Sequence, residues 1–359
     1  MSQNKIIFAL PLILALSHVR LISFLYSIKV IFLAFLALGF LGSCNQKSSS
    51  PSNDPTNNYS NPFPDGLTTN FISVSGQSRK YLVHKPAGIS KPQAVIVVLH
   101  GGGGTGVDVA NYGQHPLSVF RTVADAHAVM AIYPEGSLDA QGNPGWNDCR
   151  ADAPSGSSGS DLDFLNQLIL KLTQDLQLTP SKIFLAGTSN GGVMAFAYAF
   201  NFPNTLRAIA VSSANLPAVP KGGACTTGPG IALPVLITHG TTDPAMPVNG
   251  GCVANLGNQC NRGTVLSQQQ TLDFWLNLNG LQGVSPTVSV INSDNSDQGA
   301  ADKNIYAGNN PVFWYRLNGA GHPVPSTSVA TAYSPTSGYQ NRDIEFAEES
   351  WNFFNTLLQ

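Results

Sequence analysis

The chain has 359 residues, of which 43% are hydrophobic and only 11% charged, with 35 Gly, 24 Pro and 5 Cys. The charged fraction is less than half of the ~25% usual in globular domains, while the apolar content is ordinary, which excludes disorder over most of the chain and leaves material for a sizeable core. Net charge is −2, and beyond residue 43 there are 15 basic against 20 acidic residues with no basic stripe, so no nucleic-acid partner is expected.

Residues 1–43 carry no acid and contain apolar runs at Ile6–Leu16 and Val30–Leu41, interrupted by His18, Arg20 and Lys29. Neither run reaches the 18 residues of a spanning helix, and the pattern predicts an export signal. Its end, Leu41-Gly42-Ser43-Cys44, resembles a bacterial lipobox, which implies lipidation of Cys44 and a membrane anchor. A plain export signal with a chance Cys44, or a retained helix over Leu21–Gly42 with Lys29 snorkelling, are the alternatives. From 44 to 67 the composition turns to Ser, Asn and Pro and predicts a flexible tether, followed by one folded domain over 68–359.

"FISVSG" and "RKYLVHKP" predict an opening hairpin. "AVIVVLH", "AVMAIYPEG", "KIFLAGTS", "LRAIAVSSA" and "PVLITHG" predict core strands, whose near-continuous Val, Ile and Leu content signals burial on both faces and hence a parallel sheet. Helices are expected over 115–128, 161–176, 191–201, 266–279 and 344–358. Strands alternating with helices define an α/β chain with a doubly wound, mostly parallel sheet.

Four cysteines remain after Cys44: Cys149, Cys225, Cys252 and Cys260. An even count in an exported chain predicts two disulfides among three possible connectivities, with proximity favouring Cys252–Cys260 and leaving Cys149 with Cys225. No CxxC or HxxxH spacing accompanies them, so no metal site is expected.

Gly187-Thr188-Ser189-Asn190-Gly191-Gly192 stands between the strand "KIFLA" and an apolar helix, the context of a G-x-S-x-G nucleophile elbow. His100-Gly101-Gly102-Gly103-Gly104 ends another strand. Its backbone N–H groups, Gly102 foremost, together with that of Asn190, are candidates to bind a developing oxyanion. Of seven histidines only His322, in "LNGAGHPVP", follows both the Ser and a candidate acid, as the Ser, acid, His order requires. Asp243, in a short loop after "PVLI", is the favoured acid. Asp297 and Asp302 also precede His322, in the polar stretch "NSDNSDQGAADKN", which is expected to be a solvated loop.

These segments, with "LHGGGG", "YPEG", "GWNDC", "SDLDFL", "HGTTDPAMPVNGG", "LSQQQTLDFWLNLNG" and "GAGHPVP", resemble the α/β-hydrolase family of secreted polyhydroxybutyrate depolymerases and feruloyl or acetylxylan esterases. The resemblance covers about 68–359. It implies the α/β-hydrolase fold and a serine esterase with Ser189 as nucleophile, Asp243 as acid and His322 as base, requiring no cofactor. Trp146 looks like the family's aromatic wall beside the acyl pocket, with a loop-anchoring Trp as the alternative. Two departures stand out: Ser160-Asp161 where the family often has a doubled Asp, and Pro323-Val324 where it often has a Trp. The expected substrate is a polymeric or oligomeric ester, with hydroxybutyrate-type esters ahead of feruloyl or acetylxylan esters. An inactive polymer-binding lipoprotein is the rival of another class.

Overall fold

The computed structural model describes residues 59–153, 159–220, 230–254, 260–297 and 299–358. The expected export signal, Cys44 and most of the tether lie outside these residues, as does Cys225. Strand β1 (Gly66–Val74) pairs antiparallel with β2 (Gln77–Lys85). Their two-residue turn, Ser75-Gly76, has φ of 51° and 78°, the left-handed geometry that matches the twist of a tight hairpin. The hairpin begins two residues before the expected domain boundary, and Phe63 ahead of it is 6% exposed. The last residues of the expected tether are therefore part of the fold.

The other strands of the main sheet are β3 (Val95–Leu99), β4 (Met130–Pro134), β5 (Ile183–Thr188), β6 (Ala208–Ser212), β7 (Val235–Gly240), β8 (Thr287–Ile291), β9 (Ala301–Tyr306) and β10 (Val312–Leu317). They form one sheet in the order β1-β2-β4-β3-β5-β6-β7-β10-β9-β8, parallel from β4 to β10 and antiparallel at both ends. All five residues of β3 are buried, and they alternate between two cores: Val95, Val97 and Leu99 face one, Ile96 and Val98 the other. A strand that feeds apolar side chains to both faces has no polar alternation, which is why its run of Val and Ile is unbroken.

Helices α3 (Asp161–Asp175), α4 (Asn190–Asn201) and α5 (Gln268–Leu278) fill the first core, through Phe164, Phe196 and Trp275 among others. Helices α1 (Gly106–Ala110), α2 (Phe120–His127) and α6 (Phe346–Asn355) fill the second. The helix expected over 115–128 starts as a 3-10 turn, Pro116–Val119, before α2. Pro116 stands in the first turn, where no N–H is needed, and His115 caps the turn by accepting from the Leu117 amide. Helix α5 opens with a capping box between Ser267 and Gln270.

The polar stretch expected to be a solvated loop contains β9, so Asp302 sits on a strand opposite Arg316. Its carboxylate accepts from Asn318 Nδ2 at 2.9 Å, and Asp297 accepts from the Arg342 amide at 2.7 Å. Both acids are engaged in fastening the sheet's end.

Candidate active site

The C-terminal ends of β3, β5, β7 and β10 lie on one edge of the parallel sheet, where open α/β sheets place their sites. They deliver His100, Ser189, Asp243 and His322 in turn. Ser189 links β5 to α4 with φ 53° and ψ −124°, a backbone state that costs a non-glycine residue about 1–3 kcal/mol and persists only where its surroundings impose it. Helix α4 then passes so close to β3 that a Cβ on Gly191 would stand 2.3 Å from the His100 oxygen. Only glycine permits that approach. The elbow motif thus reflects crowding between helix and strand as much as the turn itself.

Ser189 Oγ lies 2.9 Å from His322 Nε2, and His322 Nδ1 lies 2.8 Å from Asp243 Oδ2. The Asp243 side chain is fully buried and that of His322 is 21% exposed. Asp243 Oδ1 accepts from the amides of Ala245 and Met246, both at 2.8 Å, which orients Oδ2 toward the imidazole. The two loops are locked to each other: the Thr242 amide donates to the Ala320 oxygen at 2.9 Å, and a Cβ on Gly240 would meet the Gly321 oxygen at 2.1 Å. His239, also buried, donates from Nε2 to the Met246 oxygen at 2.9 Å. Burial lowers its pKa against the pull of Asp243, so it stays a neutral support behind the acid.

The His100 loop runs alongside Ser189. A Cβ on Gly101 would be 3.6 Å from that of Ser189, and one on Gly102 would be 3.6 Å from that of Asn190. The Gly103 amide is bound to the Pro144 oxygen at 2.7 Å and that of Gly104 to the Gly101 oxygen at 3.2 Å, whereas the Gly102 amide has no partner among the described residues. His100 itself is buried and neutral, its pKa lowered by burial. Its Nδ1 donates to the Gly101 oxygen at 2.8 Å and its Nε2 accepts the Gly136 amide at 3.0 Å. The residue at the head of the glycine run is thus a strut between two loops.

Trp146 is only 1% exposed, so its ring offers no face to a substrate, and the expected acyl-pocket wall is corrected to a loop anchor. Its ring packs on His100 with centroids 4.8 Å apart, and Nε1 donates to the His100 oxygen at 2.8 Å. Loop 135–147 is fastened by side-chain contacts that sequence reasoning missed. The side chain of Asn190 accepts from the Trp146 amide at 2.7 Å and donates to the Trp146 oxygen at 3.0 Å and to Asp148 Oδ2 at 2.6 Å. Asp148 in turn pairs with Arg150 at 2.6 Å. Deeper down, Asp161 pairs with Arg79 at 2.6 Å and accepts from Ser137 Oγ and the Asn147 amide, both at 2.8 Å. The partners of Asp161 are 14 to 82 residues away from it, too far for any local spacing to reveal.

Cys252 and Cys260 form a disulfide. Cys149 is also disulfide-bonded, and Cys225, its expected partner, lies outside the described residues. Among the described residues no helix is long and apolar enough to cross a membrane.

Residues 84–262 match the family described as phospholipase/carboxylesterase. A Nocardia uniformis subsp. tsuyamanensis protein bearing the esterase name NocK is 29% identical over 53% of this chain and 52% of its own length. Feruloyl esterase C of Emericella nidulans is 28% identical over 52% of this chain and 62% of its own, and acetylxylan esterase of Coprinopsis cinerea 25% identical over 74% and 72%. The chain thus spans about half the length of the first and under two thirds of the second. An acetyl xylan esterase from Aspergillus awamori shares the fold, with a TM-score of 0.52 and 16% identity over 80% of this chain and 99% of that one. With its sheet and elbow in agreement with these likenesses, the chain has the α/β-hydrolase fold, and its residues 84–262 resemble the phospholipase/carboxylesterase family.

Proposed function

We propose that the chain is a serine carboxylic ester hydrolase acting on short acyl esters carried by a polysaccharide. The observation that carries the chemistry is the pair of hydrogen bonds, 2.9 and 2.8 Å, linking Ser189 to His322 and His322 to the buried Asp243. In this reading Nδ1–H donates to Asp243, which leaves Nε2 free to accept the Ser189 proton. Ser189 Oγ then forms a bond to the ester carbonyl carbon. The carbonyl oxygen becomes negative and is held by the amides of Gly102 and Asn190. As the C–O bond to the alcohol breaks, His322 gives its proton to that alcohol. A water, deprotonated by the same His322, attacks the acyl-enzyme, and the carboxylic acid leaves as the proton returns to Ser189.

The names of the feruloyl and acetylxylan esterase relatives favour sugar-borne esters. The buried Trp146 and Val324, 1% and 5% exposed, provide no flat wall for a feruloyl ring, which favours a small acyl group such as acetyl. The same observation leaves polyhydroxybutyrate-type hydroxy esters as the second reading. Export with a lipid anchor at Cys44 accompanies the proposal. The bonded cysteines support the export, since disulfides persist in oxidising compartments.

Ser189→Ala is expected to lower hydrolysis of 4-nitrophenyl acetate by roughly 10⁴-fold and to abolish fluorophosphonate labelling. Activity within tenfold of the parent refutes the nucleophile, and an unlabelled, inactive parent favours the polymer-binding alternative. Comparing kcat/KM on acetylated xylan, a hydroxybutyrate trimer and methyl ferulate ranks the substrate classes.

A further inference from the structure

Behind His322 the chain makes a short clip. Ser334 and Gly338 face each other in an antiparallel bridge, closed by the Gly338 amide donating to the Ser334 oxygen at 2.7 Å, with Gly338 at φ 78°. The residues flanking the bridge are Tyr333 and Tyr339, whose rings pair at 4.4 Å between centroids and 32° between planes. They are 54% and 44% exposed, and neither hydroxyl has a partner among the described residues. Tyrosine normally covers its ring and keeps only its tip wet. Two half-bare rings side by side on a rigid clip are a contact surface awaiting a ligand.

The clip is fastened to the candidate site. The Gly321 amide donates to the Tyr339 oxygen at 2.7 Å and the His322 amide to the Ser337 oxygen at 2.6 Å. Gln340 Nε2 donates to the oxygens of Val324 and Val329 at 2.8 and 3.1 Å. On the other side, a Cβ on Gly338 would touch Pro244, the neighbour of Asp243, at 3.6 Å.

Location and composition together indicate the occupant. In the proposed acyl transfer His322 hands its proton to the departing alcohol, so the alcohol lies against the His322 segment while the carbonyl oxygen points to Gly102 and Asn190. A surface built onto that segment therefore borders the alcohol and not the acyl group. From Ser326 to Asn341 the chain has no charged side chain and seven Ser or Thr residues, which suits a neutral, hydroxyl-rich partner. Resting on the ester-hydrolase reading, we propose that Tyr333 and Tyr339 form a subsite for a sugar ring of the polysaccharide that carries the ester. The apolar C–H face of the ring covers the aromatic surface, and its hydroxyls meet those of the tyrosines and of the clip.

The test uses Tyr333→Ala, Tyr339→Ala and the double variant, each beside its Phe counterpart. The double Ala variant is expected to lose at least tenfold more kcat/KM on acetylated xylan than on 4-nitrophenyl acetate, mainly through KM, and the Phe variants are expected to retain most of the xylan activity. Equal losses on both esters indicate a structural role and overturn the subsite, as does an unchanged rate on xylan. In a Ser189→Ala background, retardation in a gel containing soluble xylan is expected to disappear with the two Ala substitutions; retention of the retardation overturns the subsite. A parent inactive on both esters refutes the hydrolase reading, while the gel still decides the subsite independently.

Discussion

Replacing Asp161 by Ala tests whether loop 135–147 is held from beneath. Asp161 is 1% exposed and its partner Arg79 8%, so the change strands a buried guanidinium whose remaining contacts are the Glu135 oxygen at 3.0 Å and the ring of Phe164 at 4.1 Å. Breaking a buried pair by removing one partner costs about 3–5 kcal/mol. Ser137 Oγ and the Asn147 amide lose an acceptor as well, which places the expected loss near the top of that range. A domain of about 300 residues, with an unfolding entropy of about 2.1 cal/mol/K per residue, shifts its melting temperature by about 1.6 °C per kcal/mol, so a fall of roughly 6–8 °C is expected by calorimetry. Arg79→Met combined with Asp161→Leu is expected to recover part of this, because a matched apolar pair leaves no uncompensated charge. The cycle of single and double variants gives the coupling directly. Additive losses with no recovery, or a single variant melting within 2 °C of the parent, would refute the account of Asp161 as a buried anchor.

Asn190→Ala keeps the backbone amide proposed for the oxyanion and removes the three side-chain bonds to Trp146 and Asp148. A loss of about 2–3 kcal/mol is expected in urea denaturation, with a lowered kcat on 4-nitrophenyl acetate as the Trp146 loop shifts; unchanged stability contradicts the tie. Stability should also fall with pH below about 6.5, where histidines of the unfolded chain take up protons. His100 and His239 have pKa values lowered by burial, and that of His115 is lowered to about 4 by the same cause. Each is neutral in the fold, so unfolding binds protons, and the loss grows from pH 6.5 downward to each folded value, down to about 4 for His115. Urea midpoints at pH 7.5 and pH 5 check this, and equal midpoints contradict it.

The central strands were legible because burial on both faces writes itself as an unbroken apolar run, as in β3 and β5. The far antiparallel edge, β8 with β9, was not. Four of the five residues of β8 are exposed, Val288 and Val290 by 57% and 66%, and β9 mixes Asp302, Lys303 and Asn304 into its ladder. An edge strand with little core to face has no periodic signal. Its polar members are spent on partners such as Glu349, which pairs with Lys303 at 2.9 Å. The same distinction separates what could be read of the site. Ser189, Asp243 and His322, the proposed triad, could be picked out because each follows a sheet strand on a glycine-bearing turn, a local pattern. The side chains that hold the loops around them are distant in sequence and conform to no spacing. Trp146 shows the consequence: its local setting, a loop rich in Gly and Pro, was equally compatible with a pocket wall and an anchor. Only the long-range partners His100 and Asn190, 46 and 44 residues away, decide between them. Residues proposed to deliver chemistry thus leave a trace in the nearby sequence, whereas residues that hold the loops around them are known only through the fold they complete.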